Sequence, residues 1–132
     1  MISTVVFDTW AWWEILRDTL AGKRLSKKYL EEPESRVLTV DLALVEIAVK
    51  MARDGAEAET KPALNAVEAG SEVVPISRAA AEAAGPLLVH LRKTDRNASV
   101  ADAVMLAVAR DAGAKLVSGD ACFARERDVI TG

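Results

Sequence analysis

Val5-Val6-Phe7-Asp8-Thr9-Trp10-Ala11-Trp12 carries a change of structure within a few residues. Val5 to Phe7 is β-branched and aromatic, the composition of a buried strand. Asp8 ends that run. Trp10 to Leu20 then reads as a helix with Trp13, Leu16 and Leu20 on one face, ended or bent at Gly22. A second, basic helix is expected from Lys23 to Glu31, and Val37 to Val40 reads as the next strand. Asp41 is placed to cap a helix reaching Asp54, with Gly55 as its stop. Glu57 to Ala69 predicts another helix, and Glu72 to Pro75 a third short strand. Ser77 starts an alanine-rich helix that Gly85-Pro86 should break or bend. Asn97 or Ser99 opens a helix through Asp102 that ends at Gly113. Lys115 to Ser118 is a fourth strand, Ala121 to Ala124 a single turn, and Val129-Ile130 an edge strand. Strands alternating with helices predict an α/β fold on a mostly parallel sheet.

Such sheets bind ligands beyond the carboxyl ends of their strands. Asp8 and Asp120 fall at two of those ends. Glu46 lies in the apolar run Leu42 to Val49, in the helix after the second strand. Asp102 opens the apolar run Ala103 to Ala109, in the helix before the fourth. The four acids, far apart in sequence, are expected on one edge. Two carboxylates ~4 Å apart repel by roughly 4 kcal/mol at an effective dielectric near 20, so a cluster needs a cation or protonation. No Lys or Arg lies within three residues of Asp8 or Asp102. The cation must come from afar or be a metal, and oxygen-only ligands select Mg²⁺ or Mn²⁺ over zinc.

Each acid also has a plain structural reading. Asp8 is a good helix cap. Ser99-Val100-Ala101-Asp102 fits a capping box. Asp120 follows Gly119 and suits a turn. Glu46 could pair with Lys50 one helical turn on.

The 132 residues fit a single domain, 1–132. With 51% hydrophobic and 28% charged residues, the chain has the composition of a globular protein. A net charge of −3 argues against attachment to nucleic acid by bulk charge, though not against a local basic patch. Cys122 is the only cysteine, which excludes an internal disulfide and a cysteine zinc cluster. With the first strand so close to the first residue no signal peptide is expected, and no apolar run approaches the ~18 residues of a membrane span. A cytoplasmic location is expected.

Together, Val5-Val6-Phe7-Asp8-Thr9-Trp10-Ala11-Trp12, Leu44-Val45-Glu46-Ile47, Ser99-Val100-Ala101-Asp102-Ala103 and Leu116-Val117-Ser118-Gly119-Asp120-Ala121-Cys122-Phe123 resemble the PIN-domain ribonucleases, especially the VapC-type toxins of toxin–antitoxin pairs. The resemblance covers nearly the whole chain. It implies a three-layer α/β/α sandwich whose acidic pocket binds one or two Mg²⁺ or Mn²⁺ ions and cleaves RNA. It assigns Asp8, Glu46, Asp102 and Asp120 to that pocket; Asp8 and Asp120 are expected as direct ligands, Asp102 as a ligand or water-mediated partner, and Glu46 as a water-orienting base or an outer ligand of the metal. Thr9 and Ser118 match the family's hydroxyl positions. A small antitoxin and a homodimer are the implied partners. Two departures stand out. Trp10 replaces a small polar residue, which would reshape the pocket mouth. Cys122 replaces a further acid, which weakens the case for a second metal.

Two basic clusters are candidate RNA contacts: Lys23, Arg24, Lys27 and Lys28, and then Arg92, Lys93 and Arg96. Each also suits a solvated helix face. Trp13 is expected in the core, and Trp12, on another helical face, at a partner interface. His90 is the single histidine and lacks a nucleophile-elbow pattern for a Ser-His-Asp triad. A haloacid-dehalogenase phosphatase needs a second Asp where Trp10 stands, and a receiver domain wants an acidic pair after the first strand. The remaining alternative is a PIN-like module that binds RNA or a partner without cutting.

Overall fold

The computed structural model describes residues 2–131. Strands β1 (Ser3–Phe7), β2 (Ser35–Val40), β3 (Glu72–Val74), β4 (Lys115–Ser118) and β5 (Val129–Thr131) form one sheet in the order β3-β2-β1-β4-β5. All four pairings are parallel. Parallel neighbours require crossovers, and the helices supply them. The helices are α1 (Thr9–Leu16), α2 (Leu20–Leu25), α3 (Asp41–Arg53), α4 (Thr60–Gly70), α5 (Arg78–Arg92) and α6 (Val100–Asp111).

The central strand is covered on both faces, which is why Val5-Val6-Phe7 is apolar without alternation. Alternate side chains serve different cores. Val6, Leu38 and Leu116 pack with Leu91, Met105 and Leu106 from α5 and α6. Val5, Phe7, Val37 and Val117 pack with Trp12, Ile47 and Val67 from α1, α3 and α4. The result is a three-layer α/β/α sandwich.

The helix expected from Trp10 to Leu20 is two helices. Asp18 takes the left-handed conformation (φ 56°), and the Thr19 hydroxyl caps α2 by accepting from Gly22 N at 3.1 Å. A short polar side chain tolerates that backbone, and Thr is a good cap. Gly22 stops nothing: it lies inside α2, where a Cβ would collide with the Glu14 carbonyl of α1. The basic helix expected from Lys23 to Glu31 is the end of α2 followed by one widened, π-type turn, Ser26–Leu30. Asp41 is the first residue of α3, not its cap; Val40 holds that position. A 3₁₀ turn, Glu57–Glu59, precedes α4, and Pro62 falls in the first turn of α4, where a missing N–H costs little.

Gly85-Pro86 does not break α5. Pro86 and Glu82, whose carbonyl loses its helical partner, are both exposed, so water can serve that carbonyl. The helix continues and buries Leu91 in the core.

Trp12 and Trp13 both depart from their expected places. Trp12 is 1% exposed and meets Phe7 edge to face, with centroids 5.2 Å apart. Its indole N–H donates to Thr39 Oγ1 at 2.9 Å. Thr39 and Ser71 hydroxyls are 2.7 Å apart, and Ser71 donates to the Val67 carbonyl at 2.8 Å. Ser71 has one hydroxyl proton, so Thr39 must be the donor to it. The chain of bonds therefore runs one way, from Trp12 through Thr39 and Ser71 to Val67. Trp13 is only half-buried. The break at Asp18 ends α1 early, so the phase of a longer helix did not apply.

Candidate active site

The parallel sheet brings the acids together. Phe7 lies opposite Val117 in the register, so Asp8, one residue on, reaches the end of β4 at Ser118. Asp8 is 3% exposed and caps α1, its Oδ1 accepting from Ala11 N at 2.9 Å. Buried Ser118 bonds the Asp8 carboxyl through its side chain, and its Oγ accepts from Asp120 N at 3.0 Å. One hydroxyl thus ties two of the acids.

The other two acids have their own supports. Thr9 Oγ1 donates to Glu46 Oε1 at 2.5 Å. Asp102 completes a capping box: Ser99 N donates to Asp102 Oδ2 at 2.8 Å, and Asp102 N donates to Ser99 Oγ at 3.1 Å. The cap and the cleft readings of Asp8 and Asp102 are both realised, because a helix that starts at the sheet's carboxyl edge places its cap there too.

All four carboxylates line a single cleft of about 150 Å³, together with Thr9, Trp10, Trp13, Lys50 and Met105. A larger groove of about 760 Å³ runs between α5 and α6, but alanines dominate it and none of the four acids reaches it. Burial pushes the Asp8 carboxyl up to about 7, against the bonds from Ser118 and Ala11 and with a contribution from the charge of Asp120. Burial, then the charge of Asp102, pushes Asp120 up to about 6. Lys50 acts in the opposite direction on Asp120.

Lys50 is the residue that sequence reasoning undervalued. In the sequence it reads only as a helical partner of Glu46. Instead its Nζ stands 5.2 Å from the centroid of the Trp13 ring, on the cleft wall. The signal was present in the spacing, since residues four apart share a helix face.

The two departures from the family pattern are also placed. Trp10 packs closely against Gly119, where a Cβ would collide with the indole, and it forms part of the cleft wall. Cys122 is buried in the core, its thiol pushed up to about 12 by burial and then by Asp102 beside it. It offers a neutral neighbour where a further carboxylate would add charge.

Neither basic cluster lines the cleft. Lys23 lies 3.9 Å from Asp18. Lys28 sits over Tyr29 and beside Ser3 and Thr4, at the opposite edge of the sheet. Arg24 and Lys27 are exposed on the same helical segment. Arg92 donates from Nε to the Ala98 carbonyl at 3.0 Å and so braces the approach to α6. Lys93 lines a surface hollow with His90 and Cys122, and Arg96 is exposed. His90 Nε2 is 2.7 Å from Glu126 Oε1, a surface contact on the loop before β5.

Comparison with known proteins agrees with this architecture. The family model described as the PIN domain matches residues 5–128. No curated protein matches the chain. Among solved structures, one chain of a toxin–antitoxin complex from Klebsiella pneumoniae is 27% identical, with a TM-score of 0.60 and 96% of each chain covered. VapBC2 from Rickettsia felis, bound to a DNA fragment from its promoter, aligns with a TM-score of 0.76 at 14% identity, over 98% of this chain and 97% of that one. VapC20 from Mycobacterium tuberculosis, a toxin that cleaves the sarcin–ricin loop, aligns with a TM-score of 0.66 at 24% identity, over 84% and 85%. The last two likenesses speak for the fold. The match over residues 5–128, on a five-stranded parallel sheet with its acids gathered at one edge, shows that this chain belongs to the PIN-domain family.

Proposed function

We propose that the protein is a metal-dependent endoribonuclease that hydrolyses RNA phosphodiester bonds, as the toxin of a type II toxin–antitoxin pair. The observation that carries this reading is the convergence of Asp8, Glu46, Asp102 and Asp120 on one small cleft. An all-oxygen donor set of this kind suits Mg²⁺ or Mn²⁺. Among the described residues no three acidic, histidine or cysteine side chains already stand as a coordination shell. The carboxylates would therefore have to close around an ion, and Asp8, Asp102 and Asp120 are the groups that would hold it, with Glu46 beside them. When bound, such an ion lowers the pKa of water and screens charge on the phosphate.

The chain's own groups would then do the following. Thr9 holds Glu46 in one orientation through its 2.5 Å bond, so Glu46 can accept a proton from the attacking water. Ser118 fixes the spacing of Asp8 and Asp120. Trp10 and Trp13 wall the cleft and bound the space open to an unpaired base.

The solved relatives that are toxin–antitoxin complexes support a small antitoxin as partner. That partner would block the cleft, and a homodimer in the cytoplasm is part of the same proposal. Among the described residues no helix is long and apolar enough to cross a membrane. The capping duties of Asp8 and Asp102 favour a second reading, a PIN-like module that binds RNA or a partner without cutting it.

The test is cleavage of a mixed pool of structured RNA by the pure protein with Mg²⁺, Mn²⁺ or EDTA, beside Asp8→Asn. Cleavage that needs metal and disappears in the variant supports the nuclease. Absence of both cleavage and metal binding supports the non-cutting module.

A further inference from the structure

A cleft walled by four carboxylates repels a polyanion. Among the described residues Lys50 is the single Lys or Arg on its wall. Lys50 lies one helical turn beyond Glu46 on α3, yet its ammonium rests over the Trp13 ring. It forms no ion pair among the described residues. The attraction of a cation to an indole face keeps the charge at the rim and limits its collapse onto the acids. Phosphate contacts of this kind set the register of a nucleic acid on a protein.

We propose that Lys50, held on Trp13, binds a backbone phosphate of the RNA adjacent to the one that is cut, and so sets the strand over the carboxylates. The inference rests on the ribonuclease reading above and adds the residue that brings the substrate into register. The two basic clusters, which do not line the cleft, are then not needed for this step.

The experiment measures binding of a labelled single-stranded RNA to the Asp8→Asn protein in Mg²⁺ over a range of salt. Adding Lys50→Gln should weaken binding about tenfold at low salt and make the log–log salt slope shallower by about 0.7, the contribution of one phosphate contact on a single strand. Adding Lys50→Arg instead should retain both affinity and slope. In the protein with Asp8 intact, Lys50→Gln should raise KM more than it lowers kcat. A residue with only a structural role would leave the salt slope where it was. Unchanged affinity and slope in Lys50→Gln overturn the inference and leave the nuclease reading standing, provided the unsubstituted protein cleaves. If no variant binds RNA and the unsubstituted protein does not cleave, the nuclease reading fails and the inference falls with it.

Discussion

The Thr9 hydroxyl donates to Glu46 Oε1 across 2.5 Å, joining the first turn of α1 to the second turn of α3. Thr9 follows Asp8 directly, so neighbouring residues handle different parts of the site: one carboxylate faces the cleft, one hydroxyl aims another. Thr9→Val keeps the shape and removes the donor. Cleavage should fall by about tenfold or more, as for other groups that orient a metal-site side chain, while Thr9→Ser retains most activity. The comparison is of kcat for the two variants, with unfolding midpoints measured alongside.

Asp8 gives a pH dependence whose sign follows from burial. Its carboxyl is raised from 3.8 to about 7, so the folded protein holds that proton more tightly than the unfolded chain. The contribution to stability is fully present below the unfolded pKa and is lost as pH rises through about 7. In EDTA, the unfolding midpoint of the protein should therefore decline between about pH 4 and pH 7 relative to Asp8→Asn. The variant's side-chain oxygen can still accept from Ala11 N, so it should fold, hold or gain stability without metal, and lose all cleavage. A mutant that unfolds would show that the cap matters more than the charge.

Gly119 is the residue that lets Trp10 lie against the end of β4. Gly119→Ala should displace the indole or the Asp120 backbone, at a cost of about 1–3 kcal/mol by overpacking. Trp10→Ala in the same chain removes the collision, so the double variant should lose less than the sum of the two single losses. Denaturant titration of the four proteins measures the coupling.

The one-way chain from Trp12 to Val67 makes Thr39 sensitive. Thr39→Val is similar in shape but leaves the indole N–H without its acceptor in a site that is 0% exposed. A loss of about 1–3 kcal/mol is expected, with the denaturant slope unchanged.

The alternation of strands and helices was legible because a buried parallel strand has a distinctive composition, and Val5-Val6-Phe7 and Leu116-Val117 have it. The acids were legible for the opposite reason, being charges embedded in apolar runs. Their gathering at one edge was legible from the rule that parallel sheets bind ligands at their carboxyl ends, whereas the strand order that makes them neighbours is displayed by no local pattern. The departures of Trp12 and Trp13 came from a helix boundary at Asp18 that depends on an unusual backbone conformation. Gly22 read as a stop, because the close approach of α1 to α2 that requires it is a tertiary contact. Lys50 was visible as a helical neighbour of Glu46, but its seat on Trp13 needed the packing of α1 beside α3.

The order β3-β2-β1-β4-β5 has a consequence for how such a protein comes into being. Asp8 directly follows the central strand, and the hydroxyl that joins it to Asp120 arrives only with β4, from the far end of the described chain. An earlier portion of the polypeptide, however well folded, holds at most three of the four acids. The cleft is complete only once β4 lies beside β1. A half-made copy lacks the complete acid set, so any chemistry that the cleft performs has to wait for β4.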